Sequence, residues 1–432
     1  MVASGTLAAA LATLSAGTGP QIRPGLASMR ALLAALGEPQ RSLPLAVHVA
    51  GTNGKGSTLA MVAAVLRQHG QRVHRFCSPP LDGWHQVIRP GDDPLPMDQA
   101  DALADEILPS ALACGASPFE FITAMAILAF ARERAEIALI ECGMGGRDDA
   151  TNVLTTTAVA AVTALGHDHA GYLGDTLGQI AAHKVGIARA GVPLVMAPNQ
   201  PKEIMALLPT LAGPQVPLVL GGQDFSGIAQ SDHWLFRWQG RPGMPLPLPG
   251  LSGPHQIDNA TTALAICCQL IGWDATIAAA ATALPAVRWP GRLEPLLVPP
   301  FRHAVLDGAH NAEAVAALVH VIDGWRREGP QPLALILGAL GDREPALFAP
   351  LVARCAGWVP VTVTGGRVPG LSAEALARAL TPIRPPLAVD DDTIPAAIAA
   401  LAPLEGRLLV TGSLSLRAMI AAAKPQALPP AG

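Results

Sequence analysis

The stretch "HVAGTNGKGST", His48 to Thr58, puts three glycines, a lysine and three hydroxyl residues directly after an apolar run. A glycine turn that opens a helix gathers backbone N–H groups at one point, which suits phosphate. Lys55 can neutralise terminal phosphates, and Ser57 or Thr58 can lie near a metal ion. The stretch departs from the general phosphate-loop pattern G-x-x-x-x-G-K-[ST]: Val49 stands where the first glycine belongs, and Gly56 separates Lys55 from Ser57. A glycine-rich turn with an incidental lysine is the plainer reading, but so much glycine with Lys and Ser after a buried strand favours phosphate.

A second stretch, "ECGMGGRDDATN", runs from Glu141 to Asn152. An acid at the carboxyl end of a parallel strand faces the crevice where ligands bind, so Glu141 can hold Mg²⁺ or position water. Gly143, Gly145 and Gly146 permit close approach, but Asp148 stands where a dinucleotide fingerprint needs glycine. In "GHDHAG", His167 and His169 could ligate a metal, although a lone H-x-H is weak and the longer cluster of a zinc hydrolase is missing. Lys184, in "IAAHKVGIARAG", reads from composition as an ordinary exposed helix lysine. In "VLDGAHNAEA" an acid, Asp307, again ends a strand, followed by His310 and by Asn311, itself a natural helix N-cap. Arg292 in "PGRLE" and Asn259 in "HQIDNA" are unremarkable singly. No G-x-S-x-G elbow occurs, which counts against an α/β-hydrolase.

Alternating short apolar runs and longer helical patterns must position these residues, which predicts α/β architecture with mostly parallel sheets. "LAVHVA" reads as a buried strand, with a helix from Ser57 to His69 after the loop. "RVHRFCS", "EIALIE", "AVAAVT" and "VPLVMA" read as further strands, "FEFITAMAILAFARER" and Thr176–Arg189 as helices, and "HWLFRW" as a possible hairpin. Helices follow at Pro254–Gly272 and Asp274–Leu284. "AVRWPGRLEP" breaks the pattern and divides the chain into residues 1–287 and 288–432. Beyond it "HAVLDG", "LALILG", "WVPVTV", "PLAV" and "RLLVTG" alternate with helices, the signature of a smaller Rossmann-like domain. The residues after Pro425 are expected to fray.

At 432 residues the chain exceeds one ordinary domain, and with half its residues hydrophobic and 14% charged it can build a large core. A net charge of -4 gives no case for nucleic acid or an anionic membrane as partner. The six cysteines form no C-x-x-C pair and read as reduced thiols of a cytoplasmic protein. The N-terminal run lacks the basic region of a signal peptide and reads as a first helix.

Taken together, "HVAGTNGKGST", "FEFITA", "ECGMGGRDDATNV", "HDHAGYLGDTLGQIAAHKVGI", "GPHQIDNATTAL", "WPGRLE", "LDGAHN" and "LLVTGS" resemble the folylpolyglutamate synthase/dihydrofolate synthase family, relatives of the Mur ligases. They run in family order from about Gly25 almost to the C-terminus. The resemblance implies a P-loop-containing parallel-sheet ATPase domain that also binds pterin, followed by the smaller domain. It implies an ATP-dependent ligase: a carboxylate on dihydropteroate or a folate becomes an acyl phosphate, and the amino group of L-glutamate displaces phosphate to form an amide.

By the same resemblance, Asn53, Gly54, Lys55, Gly56 and Ser57 wrap the ATP phosphates, and Asn259, Arg292 and Asp307 contact ATP. Ser78 and Glu141 hold one Mg²⁺ and His169 a second. Lys184 matches a lysine that is carbamylated in the family, and with Lys55 and His310 completes the catalytic set. Ser117, Pro118, Phe119, Glu120, Asp148, Asp149 and Ala150 match pterin-side segments. Family precedent favours a monomer. The chain departs from the pattern after Ser78, where Pro80 replaces a histidine and Gln86 and Val87 replace Glu-Arg, and in "GLASMR", where Ala27 and Ser28 stand for an acid and an arginine. These departures lie toward the acceptor and motivate an alternative: a related carboxylate–amine ligase with a non-pterin acceptor. A nucleotide-binding protein without catalysis is opposed by the presence of Lys55, Glu141, His169 and Lys184 together.

Overall fold

The computed structural model describes residues 5–18, 25–81, 83–329, 331–364 and 368–423. The tail expected to fray lies outside them. The chain forms two compact units, one of Met1–Pro249 with Ile257–Val287, the other of Gly250–Gln256 with Arg288–Gly432.

In the first unit, β1 (Leu45–Ala50), β2 (Val73–Phe76), β3 (Ile88–Arg89), β4 (Ile137–Glu141), β5 (Thr157–Val162), β6 (Leu194–Met196) and β7 (Leu218–Leu220) form a sheet in the order β3-β2-β4-β1-β5-β6-β7. All neighbours are parallel except β2 and β3. The strands read as unbroken apolar runs because helices cover both faces, as in β4, where every residue is buried. The chain fills one side of β1 with β2 to β4 and the other with β5 to β7, so its direction reverses at β1. A sheet of this kind binds ligands at the carboxyl ends of the strands around such a reversal.

Two helices set the walls there. Lys55–Gln68 begins two residues earlier than expected, because Gly54 makes the turn in the left-handed region (φ 89°) and releases Lys55 and Gly56 into the first helical turn. Pro118–Arg132 opens with a capping box: Ser117 Oγ accepts from Glu120 N, and the Glu120 carboxylate accepts from Ser117 N. Every residue from Glu120 to Phe130 is buried, as befits a helix apolar on all sides.

At the sheet edge, Arg75 on β2 stands opposite Arg89 on β3. Such a like-charged pair is destabilising unless neutralised. Asp92 does this, with Arg75 Nε at 2.6 Å and Arg67 Nη1 at 2.9 Å from its carboxylate, while Arg89 Nε donates to the Asp92 carbonyl at 2.9 Å.

"HWLFRW" is one strand, not a hairpin. As β9 (His233–Trp238) it is the middle of an antiparallel sheet with β8 (Phe225–Ala229) and β10 (Met244–Pro247). Its period-2 pattern turns Trp234, Phe236 and Trp238 inward, and the turns fall outside the run. Helices His255–Ile271 and Trp273–Ala286 follow.

The second unit holds a sheet of β11 (Glu294–Val298), β12 (Phe301–Asp307), β13 (Leu333–Leu337), β14 (Gly357–Pro360) and β15 (Arg407–Thr411), ordered β11-β12-β15-β13-β14. The pairs are parallel except β11 with β12. Strand β11 was not expected, since it begins inside the run taken as a boundary. "PLAV", expected as a strand, is a loop: Pro385 and Pro386 remove donors, and Leu387 N bonds the Trp358 carbonyl at 2.9 Å without a ladder forming. Among the described residues, no helix is long and apolar enough to cross a membrane.

Candidate active site

The loop after β1 is tied to the strand beside it. Thr52 N and Asn53 N both donate to the Ala164 carbonyl, and Thr52 Oγ1 exchanges hydrogen bonds with Gly166. A side chain at Gly54 would collide with the Asn259 carboxamide, so Asn259 of helix His255–Ile271 lies against the loop. The first-turn N–H groups of helix Lys55–Gln68 have no intrahelical acceptor. The Ser57 and Thr58 hydroxyls are buried there without a hydrogen-bond partner. This is a donor-rich, buried helix start suited to an anion.

Two lysines converge on one carbonyl. Lys55 Nζ lies 3.0 Å from the Gly51 oxygen and 3.9 Å from Glu141 Oε1, and Lys184 Nζ donates to the same Gly51 oxygen at 2.9 Å. Lys184 is only 3% exposed, so its reading as a solvated helix lysine is wrong. Burial, and next the charge of Lys55, lower its pKa to about 7. Glu141, 4% exposed, ends β4 level with Val49 of β1. The ends of β2 and β4 are adjacent, which brings Ser78 to the same edge: Cys77, the residue before it, has its thiol pKa raised by burial and by the Glu141 carboxylate, to which it is hydrogen-bonded. His169 lies in the loop after β5, in the left-handed region (φ 54°), with its N–H on Asp168 Oδ1 at 2.9 Å.

The second predicted stretch is a bracket between β4 and helix Leu177–Val185. Arg147 N donates to the His183 carbonyl at 2.7 Å, and Gly146 leaves room for the carbonyls of His183 and Lys184. Asp148 faces Arg147 and His183 at 3.2 and 3.5 Å. Asp149 is buried and accepts from Met144 N, Thr151 N and Thr151 Oγ1, its pKa raised chiefly by burial. Ala150 is buried beside it. Phe119 covers Gly143 and tilts against Phe76, so residues from Pro118 onward meet this loop. Ser117 and Glu120 spend their side chains on the helix cap, and Glu120 also accepts from Ser28 Oγ at 2.5 Å.

Sequence reasoning missed the groups beneath this bracket. His48 on β1 places Nε2 at 2.9 Å from Thr151 Oγ1 and 3.1 Å from Cys142 Sγ. Burial, then Arg189, lowers its pKa to about 3, so it is neutral. An imidazole on an apolar strand gives no pattern by which to foresee this.

Arg292, Asp307 and His310 lie in the second unit. Asp307 accepts from Leu293 N at 3.0 Å and Ala309 N at 2.9 Å, which fixes the turn that carries Arg292. His310 Nδ1 bonds the Gly308 carbonyl at 2.6 Å, and Asn311 caps helix Ala312–Glu328. His255, also missed, belongs to this cluster: burial lowers its pKa, opposed by the charge of Asp307 and aided by that of Arg292.

The donors fit a divalent cation. Glu141 supplies a buried carboxylate and Ser78 a hydroxyl, the oxygen set that Mg²⁺ takes beside phosphate and water, while an imidazole such as His169 suits Mn²⁺ as well. Among the described residues, no three His, Cys, Asp or Glu side chains form a ready-made metal cage.

Residues 291–414 match the family described as Mur ligase, glutamate ligase domain. The dihydrofolate synthase/folylpolyglutamate synthase of Bacillus subtilis is 31% identical over 340 residues, covering 74% of this chain and 77% of that protein. The folylpolyglutamate synthase of Mycobacterium tuberculosis complexed with ADP superposes with a TM-score of 0.83 at 30% identity, covering 98% of this chain and 99% of that one. The bifunctional enzyme of Yersinia pestis complexed with AMPPNP and Mn ion gives a TM-score of 0.83 at 28% identity, covering 97% and 98%. With its ordered motifs, its phosphate loop and its two α/β units, the chain belongs to the folylpolyglutamate synthase/dihydrofolate synthase family of the Mur ligases.

Proposed function

We infer that this protein is an ATP-dependent amide ligase that joins L-glutamate to dihydropteroate and to folates through an acyl phosphate. The observation that carries the reading is the meeting of the phosphate loop, two lysine ammoniums and a buried carboxylate at the carboxyl ends of β1 and β4. The relatives are named for this chemistry, which disfavours the non-pterin acceptor. The altered segment after Ser78 is compatible with it, since Val87 packs into the apolar core, where a charged residue would be costly.

In this reading Asn53, Gly54, Gly56 and Ser57 hold the ATP phosphates, and Lys55 leaves its contact with Glu141 to neutralise the phosphoryl group in transit. Asn259, Arg292 and Asp307 are assigned to ATP, and His310 to the catalytic set with Lys55 and Lys184. Ser78, Glu141 and His169 would hold Mg²⁺ ions, which lower the repulsion between phosphate and incoming carboxylate. Lys184 is the residue to be carbamylated: only a neutral amine attacks CO₂, and burial brings its pKa to about 7. The segments Ser117–Glu120 and Asp148–Ala150 are assigned to the acceptor side, through Phe119 and the loop backbone, since Asp149 and the cap residues are engaged internally. The protein is read as a cytoplasmic monomer; size-exclusion with light scattering tests the oligomeric part.

The deciding experiment gives purified protein ATP, Mg²⁺ and glutamate with dihydropteroate, tetrahydrofolate or non-pterin carboxylates, and follows ADP. Release that needs both glutamate and a pterin acceptor is expected. Turnover only with non-pterin carboxylates would refute the acceptor, and no glutamate-dependent turnover would refute the ligase.

A further inference from the structure

In the second unit, Arg292 sits on the turn Gly291–Glu294, which enters β11. The backbone of that turn is held on both sides. Gly308 N donates to the Gly291 carbonyl at 2.9 Å, and Leu293 N, in the left-handed region (φ 47°), donates to Asp307. On the other side, Gly291 N donates to Glu294 Oε2 at 2.8 Å. Arg292 itself folds onto the turn, Nη1 to the Gly291 carbonyl at 3.2 Å.

The Glu294 carboxylate in turn depends on a residue far along the chain. Arg417, in helix Leu416–Ala423, directs Nε at both Glu294 oxygens, at 3.1 and 3.2 Å, and both side chains are buried. A carboxylate in such a place without a cation would protonate or turn toward water. Protonation makes it a weaker acceptor for Gly291 N, and turning toward water releases that N–H. The same helix start is wedged against the turn: a Cβ at Gly291 or at Gly308 would meet Leu414, whose carbonyl accepts from Arg417 N at 3.1 Å.

We propose that Arg417 is a positioning residue for Arg292. Through Glu294 it locks the Gly291–Glu294 turn and so fixes where the Arg292 guanidinium points. The proposal rests on the reading of Arg292 as a nucleotide contact. In this role Arg417 acts on ATP through a carboxylate and a backbone N–H. Misplacing a positioned group by about 1 Å can cost large factors in an enzyme's rate, so a selective effect is expected.

The test compares Arg417→Met, Arg417→Lys, Arg292→Ala, Arg417→Met added to Arg292→Ala, and the double variant Glu294→Leu/Arg417→Met, with folding checked by circular dichroism and thermal melts. The double variant removes the pair without leaving a buried charge alone, and Arg417→Lys keeps the cation. Arg292→Ala and the double variant are both expected to raise the KM for ATP about tenfold, with kcat changed less than threefold. Arg417→Lys is expected to recover most of that loss, and Arg417→Met added to Arg292→Ala to raise KM no further. If Arg292→Ala raises KM but the folded Arg417 variants stay within twofold of the parent, the positioning role is refuted. If Arg292→Ala itself leaves KM unchanged, the assignment of Arg292 to ATP fails, and the proposal falls with it.

Discussion

Replacing Lys184 by methionine should stabilise the protein while destroying its activity. The unfolded chain keeps this lysine protonated up to about pH 10.5, whereas the folded one releases the proton near pH 7. Between those values the unfolded state binds more protons, so stability rises with pH through the window, and below it the full penalty for a buried ammonium applies. The gap of about 3.5 pKa units is worth about 5 kcal/mol at about 1.4 kcal/mol per unit, or roughly 4 kcal/mol at pH 7, where the folded lysine is half deprotonated. Methionine removes that penalty at similar volume but also loses the hydrogen bond to the Gly51 carbonyl, about 1–2 kcal/mol. A net gain of about 2–3 kcal/mol is expected, or roughly 4–8 °C in melting temperature for a unit of this size. The assay is chemical and thermal unfolding of parent and Lys184→Met from pH 6.5 to 10, in CO₂-depleted buffer so that no carbamate forms. The variant's advantage should be full below pH 7 and shrink by about 1.4 kcal/mol per pH unit above it. A variant no more stable at pH 7, or an advantage that does not change with pH, would refute the reasoning about this buried amine.

Other outcomes follow from the same geometry. Glu141→Gln should reduce kcat for ADP release by at least about 100-fold with the fold retained by circular dichroism, because the buried carboxylate assigned to hold Mg²⁺ beside Lys55 is lost. Gly54→Ala should cost about 1–3 kcal/mol in urea unfolding and raise the KM for ATP, since the left-handed turn and the Asn259 contact both forbid a side chain. His48 stays neutral until about pH 3 when folded but protonates near pH 6.5 when unfolded, so the parent should lose stability as pH falls below 6.5. His48→Gln should flatten that acid limb; an unchanged limb would remove His48 from the account.

The glycine turn between β1 and its helix was legible because glycine, lysine and serine after a buried strand have few other uses, and the acids ending β4 and β12 were legible because a parallel sheet sends strand ends to its crevice. Lys184 was not. Its burial follows from a long-range fit in which Gly146 admits the end of helix Leu177–Val185, and composition assigns lysine to solvent. Only the resemblance gave it a role. Asp149 and Glu120 show the converse: the resemblance put them in pterin-side segments, and the fold uses both carboxylates for its own backbone. β11 and "PLAV" were misjudged in opposite directions: the run that opens β11 read as a break although Pro295 sits on an edge strand, where a missing donor is tolerated, whereas "PLAV" read as a strand although Pro385 and Pro386 deny it a ladder.

The arginines around Asp92 bear on a hazard that has nothing to do with catalysis. A parallel sheet ends in a row of unsatisfied peptide groups, and while a long chain is folding, that row can recruit the same strand from another molecule. Here the row at β2 is closed by a two-residue antiparallel strand followed at once by Pro90 and held down by the guanidinium cluster. An incoming strand would meet a proline, too short a template and excess positive charge. The cluster thus guards this sheet edge against becoming a nucleus for aggregation.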